Sequence, residues 1–281
     1  MKIAIGTVQW GLKYGISNRN GITNEQEIRS ILKLAEKNGI SYLDTAEQYG
    51  LAEQKIGKLS SKTFNIITKG KGFNNKELIK NKLENSLQIL GVETLYGYLF
   101  HDANELLKKP SLWDQILYQK KKKKIKKIGF SVYNIHQVEK LINKKFIPDI
   151  VQLPYSIFDR RFESLFKTLK NLQVEIHVRS IFLQGLYFLN PNSLPKNLIE
   201  FKNPLIELIR ISDKYSLTIL ELALAFVSQK KIIDYYVIGI DKSNHLREII
   251  DAIKKKTPKE AQHELNNIKV KNCNILNPNN W

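Results

Sequence analysis

Four residues of complementary chemistry stand at or just beyond the ends of short apolar runs. Asp44 and Tyr49 lie in LDTAEQYG (43–50), Lys69 closes FNIITK (64–69) and His101 closes YGYLFH (96–101). A tyrosine hydroxyl ordinarily titrates near pH ~10, so a phenol that donates its proton near neutrality needs a stabilised phenolate. A lysine ammonium beside it favours the charged phenolate and lowers that pKa. The Asp44 carboxylate would hold the Lys69 ammonium in place and keep it protonated. A neutral His101 would hydrogen-bond a substrate oxygen and orient it toward Tyr49. The four together suit delivery of a proton to an oxygen whose carbon receives hydride. No side chain supplies hydride, so this chemistry calls for a cofactor.

The elements that must position these residues alternate along the chain. Short β-rich runs fall at 2–8, 41–46, 64–69, 96–101, 125–132, 149–155, 175–181 and 234–240. Amphipathic patterns predict helices over 24–39, 52–59, 75–91, 111–124, 135–145, 161–171, 205–214, 218–229 and 243–256. The first of these puts Ile28, Ile31, Leu32 and Ala35 on one face, with acids early, lysines late and Gly39 at its end, as macrodipole and C-cap preferences favour. Strands alternating with helices imply parallel pairing through right-handed crossovers. Eight such units predict an α/β fold, a (β/α)8 TIM barrel, whose usual length of about 250 residues suits this chain. An open doubly wound sheet is the competing fold, but its Gly-rich dinucleotide fingerprint is missing. No long Ser/Gly/Pro linker interrupts the 281 residues, which predicts a single domain over 1–281. In such a barrel the four polar residues share the carboxyl-end face of the strands, where the βα loops meet.

Composition narrows the function classes. The hydrophobic content of 42% fits a soluble globular protein, and no run approaches the ~20 apolar residues that cross a bilayer. The N-terminal MKIAIGTVQWG enters a strand pattern without a signal-peptide core, which predicts a cytoplasmic protein with no membrane partner. The single Cys273 excludes an intrachain disulfide and a cysteine-rich metal site. The net charge of +18 comes from 38 lysines against seven arginines. Arginine is the residue that bidentate phosphate recognition favours, so the excess reads as compositional drift and no nucleic-acid partner is expected. The lysine-rich run QKKKKKIKKIGF (119–130) reads as a solvated helix end and the approach to a strand. His101 and Asp102 lack further ligands at metal-binding spacing, so no metal is expected.

The ordered segments IGTVQWG, LDTAEQYG, ITKG and LFHD resemble the aldo-keto reductases, with Asp44, Tyr49, Lys69 and His101 on that family's catalytic tetrad. The likeness continues through IGFSVYN, VQLPYSIFDRR, VRSIFLQGL and VIGIDKSNHLREI, and so covers nearly the whole chain. The resemblance implies reduction of an aldehyde or ketone to an alcohol by a nicotinamide cofactor held extended across the barrel face. NADPH is the expected donor, with NADH as the other option. It also implies that Asp44 touches the cofactor, that Ser131 and Gln152 hydrogen-bond the nicotinamide carboxamide, and that Ser180, Phe182, Gln184 and Gly185 belong to the loop around the pyrophosphate. Tyr49, His101 and the wall residue Trp10 are expected to meet a small-molecule carbonyl substrate. The compact chain, without long capping loops, suggests a sugar-derived or otherwise polar one.

The sequence departs from the family pattern at several positions. Val132 stands where an amide residue follows the serine, with Asn134 as a substitute, and Arg179 stands where a tyrosine often stacks on the nicotinamide. After the last strand, Gly239 and Lys242 are expected at the cofactor, but Asp241 would oppose a 2'-phosphate and Ile249 replaces an asparagine. These changes leave a second reading open: an idle barrel that binds the nucleotide as a sensor or partner subunit.

Overall fold

The computed structural model describes residues 2–60 and 63–281. Its eight strands are β1 (Ile3–Gly6), β2 (Tyr42–Asp44), β3 (Asn65–Gly70), β4 (Leu95–Phe100), β5 (Ile125–Ser131), β6 (Ile150–Pro154), β7 (Glu175–Arg179) and β8 (Tyr235–Gly239). They pair parallel in chain order, and β8 closes the barrel on β1 with Ile3 opposite Tyr236 and Gly6 opposite Gly239. Each strand matches one of the apolar runs, with β3 and β4 one residue beyond theirs, so the expected (β/α)8 barrel is the fold observed.

The crossovers are helical for local reasons. The helix Glu25–Lys37 begins where Asn24 accepts a hydrogen bond from the Glu27 backbone N–H, and it buries Ile28, Ile31, Leu32 and Ala35. Lys76–Leu90 is capped by Asn75 and stops at Gly91, whose φ of 66° is left-handed. Ile219–Ser228 opens on a reciprocal capping box between Thr218 and Glu221. The helix expected over 161–171 is instead a 3-10 turn, Glu163–Leu165, running into Phe166–Asn171. Val8–Gly11 and Ala103–Lys108 are too short to show a helical period in sequence. No helix among the described residues is long and apolar enough to cross a membrane.

The barrel interior is filled in layers, because alternate strand residues face the same side. A middle layer of Ile67, Leu99 and Ile150 packs with Tyr42 and Tyr96 below it. Two residues further along three of these strands come Asp44, Lys69 and Gln152, all buried. Strand β7 spans the barrel in the same way, with Glu175 at the lower end, His177 buried in the middle and Arg179 at the upper rim. The larger apolar core lies between the sheet and the surrounding helices.

Candidate active site

Parallel register brings the polar ends of β2, β3 and β6 together above the middle layer. Lys69 Nζ donates to Asp44 Oδ1 at 2.6 Å and to the Thr45 carbonyl at 2.8 Å, while Gln152 Nε2 donates to Asp44 Oδ2 at 2.7 Å. The Asp44 and Lys69 side chains are 3% and 1% exposed, so this pair is held out of water. Burial draws the Lys69 pKa down and Asp44 opposes that shift.

Tyr49 is set over the pair by the turn after β2. A Cβ added to Gly11 would lie 1.7 Å from the Tyr49 carbonyl, so the short helix Val8–Gly11 packs directly on this turn and only glycine fits there. The Lys69 ammonium lies 5.2 Å from the Tyr49 ring centroid. The His101 ring meets the Tyr49 ring edge-on with centroids 5.7 Å apart. His101 Nδ1 is 2.8 Å from Gln48 Oε1. Among the described residues no side chain or backbone group hydrogen-bonds the Tyr49 hydroxyl, and Tyr49 and His101 both line an open cleft.

The electrostatics support one expectation and correct another. Burial, followed by the positive charges of Lys69, Arg179 and Lys71, pulls the His101 pKa down to about 3, so the imidazole is neutral near pH 7. Tyr49, expected to titrate low beside Lys69, is instead pushed well above the ordinary phenol range by burial and then by the Asp44 charge, with Arg179 opposing. The main cause is burial, which disfavours the charged phenolate, and the Asp44 carboxylate adds to it. Tyr49 therefore keeps its proton across the neutral range.

The cleft has a volume of about 690 Å³ and runs from Tyr49 and His101 past Ser131, Gln152 and Arg179 to Gly239 and Ile249. Ser180, Phe182, Gln184 and Gly185 also line it. Gly185 takes φ of 93°, and a Cβ there would lie 1.9 Å from Ser17 Oγ. The Ile16 N–H donates to the Gln184 carbonyl at 3.0 Å in the same place. The loop after β1 is thus clasped to the loop after β7 over the cleft.

These walls suit an extended nicotinamide dinucleotide. The Ser131 hydroxyl and the Gln152 carbonyl oxygen make no hydrogen bond among the described residues, which leaves a donor and an acceptor for a carboxamide. Gln9 Oε1 is buried without a partner on the cleft wall beside Gly239. Arg179 does not project freely. Its guanidinium carbon lies 4.0 Å from the Tyr133 ring centroid, and Nη2 donates to the Val132 carbonyl at 2.9 Å. Asn134 does not replace the missing amide, because its side chain caps the helix Ile135–Asn143.

Three expected site residues do not line the cleft: Lys69, buried in its pair with Asp44, and Trp10 and Lys242. Trp10 is fully buried and donates from its indole N–H to the Ile240 carbonyl at 2.8 Å. The helix Val8–Gly11 turns that side chain into the core, so it is no substrate wall. Lys242 is exposed and does not line the cleft, because it precedes the helix Ser243–Ala252 with its side chain in solvent. Sequence reasoning missed Gln48, Gln9, Tyr14 and Tyr133, all of which line the cleft. Adjacency to Tyr49 and to Ser131 is the signal that could have flagged Gln48 and Tyr133.

The structure resembles the aldo-keto reductase AKR11C1 from Bacillus halodurans in its holo form, with a TM-score of 0.75, 21% identity and coverage of 95% of this chain and 91% of that one. It also resembles the thermostable aldo-keto reductase Tm1743 in complex with the inhibitor epalrestat, with a TM-score of 0.72, 23% identity and 95% of each chain covered. At these identities the likeness shows the fold. Among curated proteins, none matches. The model of the Aldo/keto reductase family matches residues 2–269, and the chain belongs to that family.

Proposed function

We propose that residues 1–281 form one barrel domain that reduces an aldehyde or ketone, sugar-derived or otherwise polar, to an alcohol, with Tyr49 as the proton donor. Family membership carries the general class, an oxidoreductase of carbonyl compounds that uses a nicotinamide cofactor. The observation that carries the finer reading is the junction of Tyr49, neutral His101 and the buried Asp44–Lys69 pair at one end of a long cleft.

The bound reduced nicotinamide supplies the hydride. Ser131 and the Gln152 carbonyl oxygen would hold the carboxamide, and Gln152 spends its N–H on Asp44. Arg179, braced against Tyr133 and the Val132 carbonyl, offers a flat cation beside the ring. Gln184 and Gly185 would border the pyrophosphate under the loop clasp. His101 and Tyr49 orient the carbonyl oxygen, and the Tyr49 O–H passes its proton to that oxygen as negative charge builds there. The charge of the phenolate left behind would be opposed by burial and Asp44, and offset by Arg179 and by the Lys69 ammonium 5.2 Å from the ring centroid. The phenol's raised pKa and the neutral imidazole fit a resting state with the proton in place.

The test is to titrate the purified protein with reduced nicotinamide dinucleotides by tryptophan fluorescence, with and without a panel of aldehydes and ketones. Saturable quenching together with carbonyl-dependent oxidation of the dinucleotide is the expected result. Saturable binding with no oxidation across the panel counts against the reductase and favours a nucleotide-binding barrel.

A further inference from the structure

Part of the cleft wall, beyond Gly239, is built from the segment after β8, and its chemistry is acidic. Asp241, His245, Glu248 and Ile249 line it. The one basic side chain among the described residues on this stretch of wall is already paired, since His245 Nδ1 lies 2.7 Å from Asp241 Oδ1. The two full cations nearest in sequence are both exposed and do not line the cleft: Lys242 projects into solvent, and Arg247 donates to Asn244 at 3.2 Å.

A helix N-terminus would ordinarily offer free backbone N–H groups to a phosphate. The helix Ser243–Ala252 begins here, but the Glu27 carboxylate, reaching over from the helix Glu25–Lys37, accepts the Ser243 N–H. Its pKa is held low by that bond, from the side chain and backbone of Ser243, which keeps the carboxylate charged. A phosphate entering this corner would therefore find the leading N–H already taken and three carboxylates, Glu27, Asp241 and Glu248, around it. A ribose hydroxyl suits the same corner, because a carboxylate accepts a hydrogen bond from it.

Resting on the reductase reading above, we infer that the cleft selects a dinucleotide whose adenosine ribose carries free hydroxyls, so that NADH rather than NADPH is the hydride donor. Asp241 is the specificity-determining residue that meets the ribose, and Glu27 excludes a 2'-phosphate by occupying the helix end. This reverses the preference for NADPH that the family resemblance implies.

Equilibrium binding tests the inference without turnover. NADH and NADPH are titrated separately into the wild-type protein and into Asp241→Asn and Glu27→Gln variants, following tryptophan quenching and, independently, heat of binding. NADH should bind at least about tenfold more tightly than NADPH to the wild type. Asp241→Asn should move the ratio of the two dissociation constants toward NADPH by about tenfold, and Glu27→Gln in the same direction by less. Because Asp241→Asn leaves the Glu27 cap in place, a folding defect confined to Glu27→Gln does not blur the result. NADPH binding as tightly as NADH, or a ratio unmoved by Asp241→Asn, overturns the inference and leaves the reductase reading standing. Binding of neither dinucleotide overturns both.

Discussion

The two ends of the barrel carry the same four kinds of side chain. At the upper end stand Asp44, Lys69, Tyr49 and His101. At the lower end Glu175, Lys127, Tyr96 and His177 gather around the start of β7. A lysine ammonium lies 5.2 Å from a tyrosine ring at both ends. What differs is where the tyrosine proton goes. The Tyr96 hydroxyl donates to Glu175 at 3.0 Å, and that carboxylate is also bound by Lys127 and contacted by His177 at 3.3 Å. The Tyr49 hydroxyl has no such acceptor among the described residues: the Asp44 oxygens accept from Lys69 and Gln152, and the phenol opens onto the cleft. Burial differs too, at 1% and 3% exposure for Lys69 and Asp44 against 31% and 19% for Lys127 and Glu175. Residue types alone do not make a site; an uncommitted proton beside a cleft does.

Several substitutions break or sharpen this comparison. The largest effect falls on the tyrosines. Tyr49→Phe should lower kcat by about 10²- to 10⁴-fold, the usual range for a lost general acid, with dinucleotide binding retained. Tyr96→Phe should leave kcat unchanged, as paired steady-state assays would show.

The lysines come next. Lys69→Met strands a buried carboxylate and should cost about 3–5 kcal/mol in urea unfolding. Lys127→Met, at a partly exposed pair, should cost about 1 kcal/mol or less. Equal losses would mean that the two pairs are equivalent after all.

The smallest effects separate the ends by pH. His101 is held neutral, with its pKa lowered from 6.5 to about 3. The unfolded chain therefore binds a proton that the folded one refuses, and stability falls as pH drops from 6.5 toward 3. His101→Gln should flatten that window. At the lower end burial opposes the Glu175 charge, yet the His177 bond and Lys127 hold its pKa at about 2, down from 4.5. Its contribution is present above pH 4.5 and lost as pH falls through 2, so Glu175→Gln should flatten only the more acidic window. Thermal unfolding across pH for both variants checks the assignment.

Much of this was legible in the sequence. All eight strands coincide with the apolar β-rich runs, β3 and β4 each exceeding theirs by one residue, and the strand-end positions of Asp44, Lys69 and His101 follow from those runs. The buried face of Glu25–Lys37 was also readable, because Ile28, Ile31, Leu32 and Ala35 recur at the helical period. What escaped depends on side-chain direction after a strand ends. Trp10 reads as a wall because it follows β1 directly, but four residues of helix carry it under Ile240. Lys242 was near the cofactor in sequence, yet the turn into Ser243–Ala252 points Asp241 and His245 inward and leaves the lysine in solvent. The phenol's titration differs from the expectation because burial of the ring, which residue types do not show, raises its pKa and the Asp44 charge adds to that. The lower cluster gave no warning of its resemblance to the upper one, since Glu175 and His177 read simply as positions in a strand.

The central claim is that hydride reaches a carbonyl carbon at the upper end while Tyr49 protonates the oxygen. The most direct measurement supplies reduced nicotinamide deuterated at its transferable position, together with an aldehyde turned over by the wild-type protein, and locates the label in the product by NMR. Deuterium on the carbinol carbon, formed by the wild type and lost with Tyr49→Phe, is the predicted result. An alcohol free of deuterium, or one formed at the wild-type rate by Tyr49→Phe, would contradict the account.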